Sequence, residues 1–248
     1  MSRVLVIGDS CNDIFIYGDI HRVCPEAPVP VFNPTHQTEN GGMAKNVVRN
    51  LEALGCNVEF ISNDNSIKKI RYVDNRSNQM VLRVDENDTC RSINDKEIDY
   101  IEKFYMNFDA VIISDYCKGF LAEDDIKYIC EECENVFIDT KKQLGDWVRG
   151  VDFIKINELE HKKNFETLPN YPELEDKLIV TQGSKGCVYM GETFPVEEVS
   201  VKDVSGAGDT FLSGLVVEYI KSKNIKKAIN FAQECTTKVV QKIGVETI

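Results

Sequence analysis

The sequence predicts an α/β fold: a mostly parallel central sheet covered on both faces by helices, with a small β-sheet beside it as a lid. Three observations carry that expectation. Continuous apolar, β-branched runs recur at residues 4–7, 58–61, 110–113, 135–138, 153–156 and 177–181, the pattern of strands buried on both faces. Segments with helical spacing lie between them, as the crossovers of a parallel sheet require. Residues 14–20, 29–32, 70–73 and 79–84 break that rhythm and read as strands without intervening helices, expected to pair antiparallel as one separate flap.

In chain order, the first strand runs over 4–7 and ends at Gly8-Asp9, and the first two flap strands follow it. A helix over 43–54 places Val47, Val48, Leu51 and Leu54 on one side. After the strand at 58–61 come the other two flap strands, then a helix over 95–105 carrying Ile98, Ile101 and Tyr105 on one face. Four further strands follow, and the chain closes with two helices. One has Phe211, Leu212, Leu215, Val216 and Tyr219 on its apolar positions, and the other, over 225–243, has Ile229, Ala232, Val239 and Ile243. No internal repeat, low-complexity tract or linker interrupts this order, so one domain over 1–248 is expected, its lid strands drawn from about 14–33 and 70–85.

Composition narrows the function. With 248 residues and 42% hydrophobic content the chain can bury a sizeable core. Its 29 Lys+Arg against 41 Asp+Glu give a net charge of -12, which repels nucleic-acid phosphates and anionic lipid at long range, so neither is an expected partner. No run approaches membrane-spanning length, and the N-terminus lacks the pattern of a signal peptide. The nine cysteines have no framework spacing, which suits a reducing cytosol and a cytoplasmic protein. Cys130 and Cys133 share a helical face with Ile126 and Ile129 and read as core, and His21, His36 and His161 form no ligand spacing.

The stretch Asp203-Val-Ser-Gly-Ala-Gly-Asp-Thr-Phe-Leu-Ser-Gly214 carries the chemistry. A helix beginning near Ala207 presents its free N–H groups and positive dipole end at the Gly206, Ala207, Gly208 turn, an anion site. Asp209 inside it has two readings. It complements the dipole, worth roughly 0.3–1 kcal/mol, or it takes the proton of a hydroxyl that attacks a phosphoryl group.

The whole of that stretch resembles the C-terminal signature of the PfkB-type, or ribokinase-like, carbohydrate kinases. Gly41-Gly42-Met-Ala-Lys-Asn46 with Leu54-Gly55, and Asn157-Glu-Leu-Glu160, resemble two further family signatures. Within the family, Gly8-Asp-Ser-Cys-Asn-Asp13, Arg22-Val-Cys-Pro-Glu-Ala-Pro-Val-Pro30, Ser114-Asp-Tyr-Cys-Lys-Gly119 and Asp139-Thr-Lys141 are similar to the heptose 7-phosphate kinase domain of the bifunctional ADP-heptose synthesis enzymes. The resemblance implies a ribokinase-like three-layer sandwich with a β lid and an ATP- and Mg²⁺-dependent kinase; separately, an exposed small sheet with an apolar face wants a cover, so a homodimer formed through the lid is expected. The resemblance makes Asp209 the catalytic base and Gly206, Ala207 and Gly208 the anion hole. No G-x-x-x-x-G-K-[ST] string offers the P-loop solution.

The remaining candidates follow from the same match. Asp13 and Asp9, after the first strand, are candidates for sugar hydroxyls, which carboxylates accept well, or are ordinary turn residues. Gly41, Gly42 and Asn46 are candidates on the sugar side, the alternative being a plain loop and a solvent-facing Asn. Arg71, Arg83, Lys118 and Lys141 are candidates for gripping phosphate, or surface charges. Asn157 and Glu160 suit water-mediated Mg²⁺ binding, or a helix cap. Thr181, Gly183, Ser184, Gly186 and Gln233 are nucleotide candidates, the first four otherwise a turn between strands.

The chain also departs from the family pattern. Between residues 62 and 70, where the family carries a loop, a helix and a strand, only Asn63 to Lys69 remain; Val48 and Gln233 stand where the family has a small residue and often an Asn. No adenylyltransferase domain is present, so the kinase half alone is expected. Three functions stay open: a heptose 7-phosphate kinase, a kinase of another sugar, and a non-catalytic binding relic.

Overall fold

Val4, Leu5, Val6 and Ile7 are all fully buried in β1 (Arg3–Gly8), which requires cover on both faces. The computed structural model describes residues 1–64, 67–242, 244 and 247–248. Parallel neighbours flank β1. β4 (Asn57–Ser62) sets Phe60 opposite Val6 on one side, and β7 (Ala110–Asp115) sets Ile112 opposite Val6 on the other. Beyond β7 the parallel run continues through β8 (Val136–Thr140), β9 (Phe153–Asn157) and β10 (Leu178–Thr181). The short antiparallel β11 (Cys187–Tyr189) and β12 (Glu192–Phe194) complete an eight-stranded sheet in the order β12-β11-β10-β9-β8-β7-β1-β4.

The period of two along each strand sorts the core into two layers. Val4, Val6, Ile112 and Phe137 pack with α1 (Ala44–Ala53), α5 (Ala207–Ser222) and α6 (Ile225–Val239). Leu5, Ile7, Ile113 and Ile138 pack on the other face with α2 (Asp95–Phe104) and α3 (Glu123–Glu132). Cys130 and Cys133 belong to this second layer, where burial pushes both thiols up to about 12, as core residues rather than reactive thiols. The helix expected over 225–243 ends at Val239, and Ile243 lies outside the described residues.

A second sheet of four strands has the order β3-β2-β5-β6, from β2 (Ser10–Val23), β3 (Pro30–Met43), β5 (Lys68–Asp74) and β6 (Met80–Glu86). It corrects the expected all-antiparallel pairing: β2 and β5 run parallel, with Ile14 opposite Ile70. The reason lies in the large sheet. β1 and β4 are parallel neighbours that end side by side at Gly8 and Ser62, so the strands leaving them start from one edge in one direction. Gly41 and Gly42, for which a plain loop was the alternative reading, finish β3 opposite Asn12 and Cys11. A Cβ on Gly42 would stand 2.7 Å from Cys11 Sγ, so only glycine lets the two strands meet there.

In place of the missing unit, Asn63 side-chain groups join the sheets, its Oδ1 accepting from Ser10 N at 2.7 Å and its Nδ2 donating to Ser10 O at 3.1 Å. Part of the shortened segment, residues 65 and 66, lies outside the described residues. Among the described residues β4 is the outermost strand on its side of the large sheet. No helix among them is long and apolar enough to cross a membrane.

Candidate active site

The carboxyl ends of β1, β7, β8 and β9 point at the start of α5, the place where open α/β sheets bind ligands. Gly206, at φ 77, turns the chain into that helix through a conformation that disfavours a side chain. Ala207 N–H is spent on Val204 O at 3.2 Å, which removes it from the expected anion hole and leaves the N–H groups of Gly208 and Asp209 as first-turn donors. Two clefts meet here. One of about 240 Å³ includes Gly206 and Asp209 in its wall, and one of about 460 Å³ includes Ala207 and Gly208.

Asp209 forms the floor of the smaller cleft and is 6% exposed. Its Oδ2 accepts from Asn46 Nδ2 at 2.8 Å and its Oδ1 from the Tyr116 hydroxyl at 2.7 Å. Burial raises its carboxyl above the usual range, with Asp139 adding to the rise, against the pull of those two hydrogen bonds and of Lys155. Asn46 therefore faces the aspartate rather than solvent. Asp13 and Gly42 line the same cleft, as do Lys69, Arg71 and Arg83 from β5 and β6 of the same small sheet, with Arg71 ion-paired to Asp13. Burial holds the Lys69 ammonium below its ordinary value, with the nearby Arg83 and Lys118 charges adding to the fall.

Other candidates take different places. Asp9, 1% exposed, spends its carboxylate on the backbone N–H groups of Tyr116 (2.7 Å), Lys118 (3.3 Å) and Phe120 (3.2 Å), fixing the loop after β7. Lys118 pairs with Asp88 at 2.6 Å, outside the wall of the smaller cleft. Asn157 and Glu160 close a capping box at the start of α4 (Glu158–Lys163), with hydrogen bonds of 2.9 and 2.8 Å. The Glu160 carboxylate also ion-pairs with Lys141.

Beneath the Gly206–Gly208 turn lies a ladder of charge in which Asp139 and Lys141 belong to a matched string and Lys155 was not announced by the sequence. Lys155 Nζ is 2.6 Å from Asp139 Oδ2, with both side chains under 5% exposed, and Lys141 reaches Asp139 Oδ1 at 3.5 Å. Burial opposes the charge on Asp139, but the two ammonium groups outweigh it and hold its carboxyl below the usual range. Lys155 Nζ would be 2.8 Å from a Cβ placed on Gly208, so the lysine lies directly against the turn and a side chain there would have to displace it. Tyr116, Lys69, Lys155 and Cys11 are the site residues that sequence reasoning passed over. Cys11 and Tyr116 lay in strings matched to the kinases, yet nothing local reveals their contacts.

The larger cleft is lined by Thr181, Gly183, Ser184, Gly186 and Gln233, with apolar cover from Phe211 and neighbouring valines. Gly186 has φ 90, and Gln233 Nε2 donates to Phe194 O at 2.6 Å. Its shape and lining suit an aromatic base at the apolar end and phosphates at the α5 turn. For Mg²⁺ the fit is indirect: among the described residues no group of three or more His, Cys, Asp or Glu side chains is placed to hold a metal. Asn157 Oδ1 and the Glu160 carboxylate already accept hydrogen bonds, so they suit a hydrated ion carried by phosphates rather than direct ligation.

The large and small sheets are arranged as in the ribokinase-like fold. The structure superposes on phosphofructokinase-2 of Escherichia coli with a TM-score of 0.74 at 12% identity, covering 99% of this chain and 94% of that one. It superposes on ribokinase of Thermotoga maritima with a TM-score of 0.70 at 16% identity, covering 99% and 95%. The sequence pattern of the pfkB family carbohydrate kinases matches residues 73–248. The chain belongs to that family and is, as a class, a carbohydrate kinase of the pfkB type.

Its curated relatives include proteins named bifunctional protein HldE. That of a Nitratiruptor species is 32% identical over 292 residues, covering 99% of this chain and 63% of the relative; that of Campylobacter curvus is 29% identical, covering 99% and 63%. The chain thus spans about 63% of the length of these relatives. The first alignment runs over more positions than the 248 residues here, so the relative carries segments that this chain lacks.

Proposed function

We propose that the protein transfers the γ-phosphoryl group of ATP to the anomeric hydroxyl of D-glycero-D-manno-heptose 7-phosphate, giving the 1,7-bisphosphate. The observation that carries this reading is the meeting of the two clefts at one helix start, with Asp209 in the cation-lined cleft and Gly208 in the other. The HldE relatives and the heptose-like N-terminal strings support the choice of sugar.

In this reading Lys69, Arg71 and Arg83 receive the phosphate already on the sugar. Asp209 accepts the hydroxyl proton as the sugar oxygen bonds to the γ-phosphorus and the bond to ADP breaks. The N–H groups of Gly208 and Asp209, backed by Lys155, face the charge on the transferring group. Mg²⁺ entering with the nucleotide would neutralise phosphate charge, with Asn157 and Glu160 contacting its water shell. ATP and a sugar phosphate are cytoplasmic metabolites, and we place the protein there. We also read the chain as one domain whose small sheet covers the sugar cleft and pairs with a second copy.

The test is ADP release from Mg-ATP with heptose 7-phosphate, fructose 6-phosphate, fructose and ribose, with Asp209→Asn as control. Turnover confined to the heptose and lost in the variant supports the proposal. Turnover on another sugar retains the mechanism and discards the substrate. The absent segment favours a second reading, a binding protein without turnover, which sugar binding with silence across the panel would support.

A further inference from the structure

Tyr116 reaches the smaller cleft from the loop after β7, and nothing above assigns it a task. Its hydroxyl donates to Asp209 Oδ1 at 2.7 Å, while Asn46 Nδ2, from α1, donates to Oδ2 at 2.8 Å. Among the described residues these two supply the side-chain hydrogen bonds to that carboxylate. The backbone of Tyr116 is held in turn, its N–H donating to Asp9 Oδ2 at 2.7 Å, with Asp9 also holding the N–H groups of Lys118 and Phe120. The ammonium groups of Lys69 and Lys141 lie 5.6 and 5.3 Å from the centre of the Tyr116 ring. A loop pinned by a buried carboxylate therefore delivers one phenol to the atom that has to receive a proton.

We infer that Tyr116 is a positioning residue for phosphoryl transfer, its hydroxyl aiming the Asp209 carboxylate into the sugar cleft and favouring the form that can accept a proton. The inference rests on the reading of Asp209 as the base. A buried carboxylate is driven toward its protonated, inactive form, and a donor to the charged form opposes that drive. Other charged or titratable groups around Asp209 are Asp139 from β8 and Lys155 from β9. Across the cleft stand Lys69 and Arg71 from β5, Arg83 from β6, and Cys11 and Asp13 from β2. None of them makes a hydrogen bond to the carboxylate among the described residues, so the phenol has a role the others do not share. Asn46 anchors the second oxygen, and the pair fixes the carboxylate plane.

Tyr116→Phe isolates this role, because it keeps the ring beside both lysines and removes one oxygen. Replacing Tyr116 by 3-fluorotyrosine keeps the shape and strengthens the donor. The readout is the pH dependence of kcat/KM for ADP release with the sugar that the wild-type protein turns over, with Asp209→Asn alongside. A hydrogen bond to a charged group is worth enough to move a pKa by about one to two units. The acid limb should therefore rise by that amount in Tyr116→Phe, with activity recovering at higher pH and the sugar KM within roughly two-fold. With 3-fluorotyrosine the limb should fall.

Acid limbs unmoved in both variants, or a change confined to KM, overturn the inference while silent Asp209→Asn leaves the base intact. Turnover surviving in Asp209→Asn, or a silent wild type, overturns the base and this inference together. Should Tyr116→Phe fail to fold, the fluorotyrosine protein decides alone, a limb that falls supporting the inference and one that stays overturning it.

Discussion

Asp139→Asn tests the charge ladder beneath the anion turn. Asparagine preserves the shape of the side chain and removes its charge, which leaves the Lys155 ammonium, 4% exposed, without the carboxylate now 2.6 Å away. Lys141 keeps a partner in Glu160, so the damage centres on Lys155. Removing one member of a buried pair costs roughly 3–5 kcal/mol. In a chain of this length each kcal/mol moves Tm by about 2–4 °C, so the melting point should fall by about 6–20 °C. The pH dependence has a definite sign. The Asp139 carboxyl is held below its unfolded value, so its contribution is present above that value, about 3.9, and is lost as pH falls through the lower folded value. Melts of the two proteins should therefore converge in acid and separate above about pH 4. Lys155→Met with Asp139→Leu removes both charges and should recover most of the stability while turnover stays low, since Gly208 has lost the lysine beneath it. A single variant within about 1 kcal/mol of the parent at neutral pH, or a double variant no more stable than the single one, would refute the reasoning.

Three further outcomes are expected. Gly186→Ala sets a Cβ 1.9 Å from Phe194 O and 2.9 Å from Gln233 Nε2 at φ 90; beyond the roughly 1–2 kcal/mol of backbone strain, KM for ATP should rise at least about ten-fold with the sugar KM unchanged, as steady-state kinetics would show. Arg71→Ala strips the partner from Asp13 in the cation-lined cleft, and should raise KM for the sugar phosphate by about 10- to 100-fold while leaving that for ATP alone; equal effects on both would contradict the assignment of the clefts. Met80, Leu82 and Val84 lie on one side of β6 and are 55%, 54% and 36% exposed, so light scattering at micromolar concentration should give twice the chain mass, reduced to one by Leu82→Asp; a monomeric parent contradicts pairing through the small sheet.

The central sheet was legible because strands buried on both faces leave continuous apolar runs, and Val4 to Ile7 read the same way in sequence and in space. Gly206 and Asp209 were legible because one contiguous string holds them. What stayed hidden was long-range. Tyr116 meets Asp209 across 93 positions and Asn46 meets it across 163, and no local pattern encodes either pairing. Asp9 looked like a ligand-side turn residue because the loop that consumes its carboxylate is more than 100 positions away. The end of β3 was missed because Pro-Thr-His-Gln-Thr-Glu-Asn is polar and exposed on the outer edge of its sheet, where hydrophobic alternation is not needed. The parallel pairing of β2 with β5 follows from where β1 and β4 end, a property of the other sheet.

The smaller cleft draws its cations from β5 and β6 and its aspartate from α5, so its two ends belong to different layers of the molecule. In the proposed reaction the spacing between them is a ruler. It measures how far the phosphate carried by a sugar stands from the hydroxyl that reacts, and its length is set by how one sheet is mounted on the other. The mounting is the short joint from Gly8 to Asn12 and the clasp of Asn63 on Ser10. Selection for sugars of another length would act first on that joint, and only then on the side chains that line the cleft.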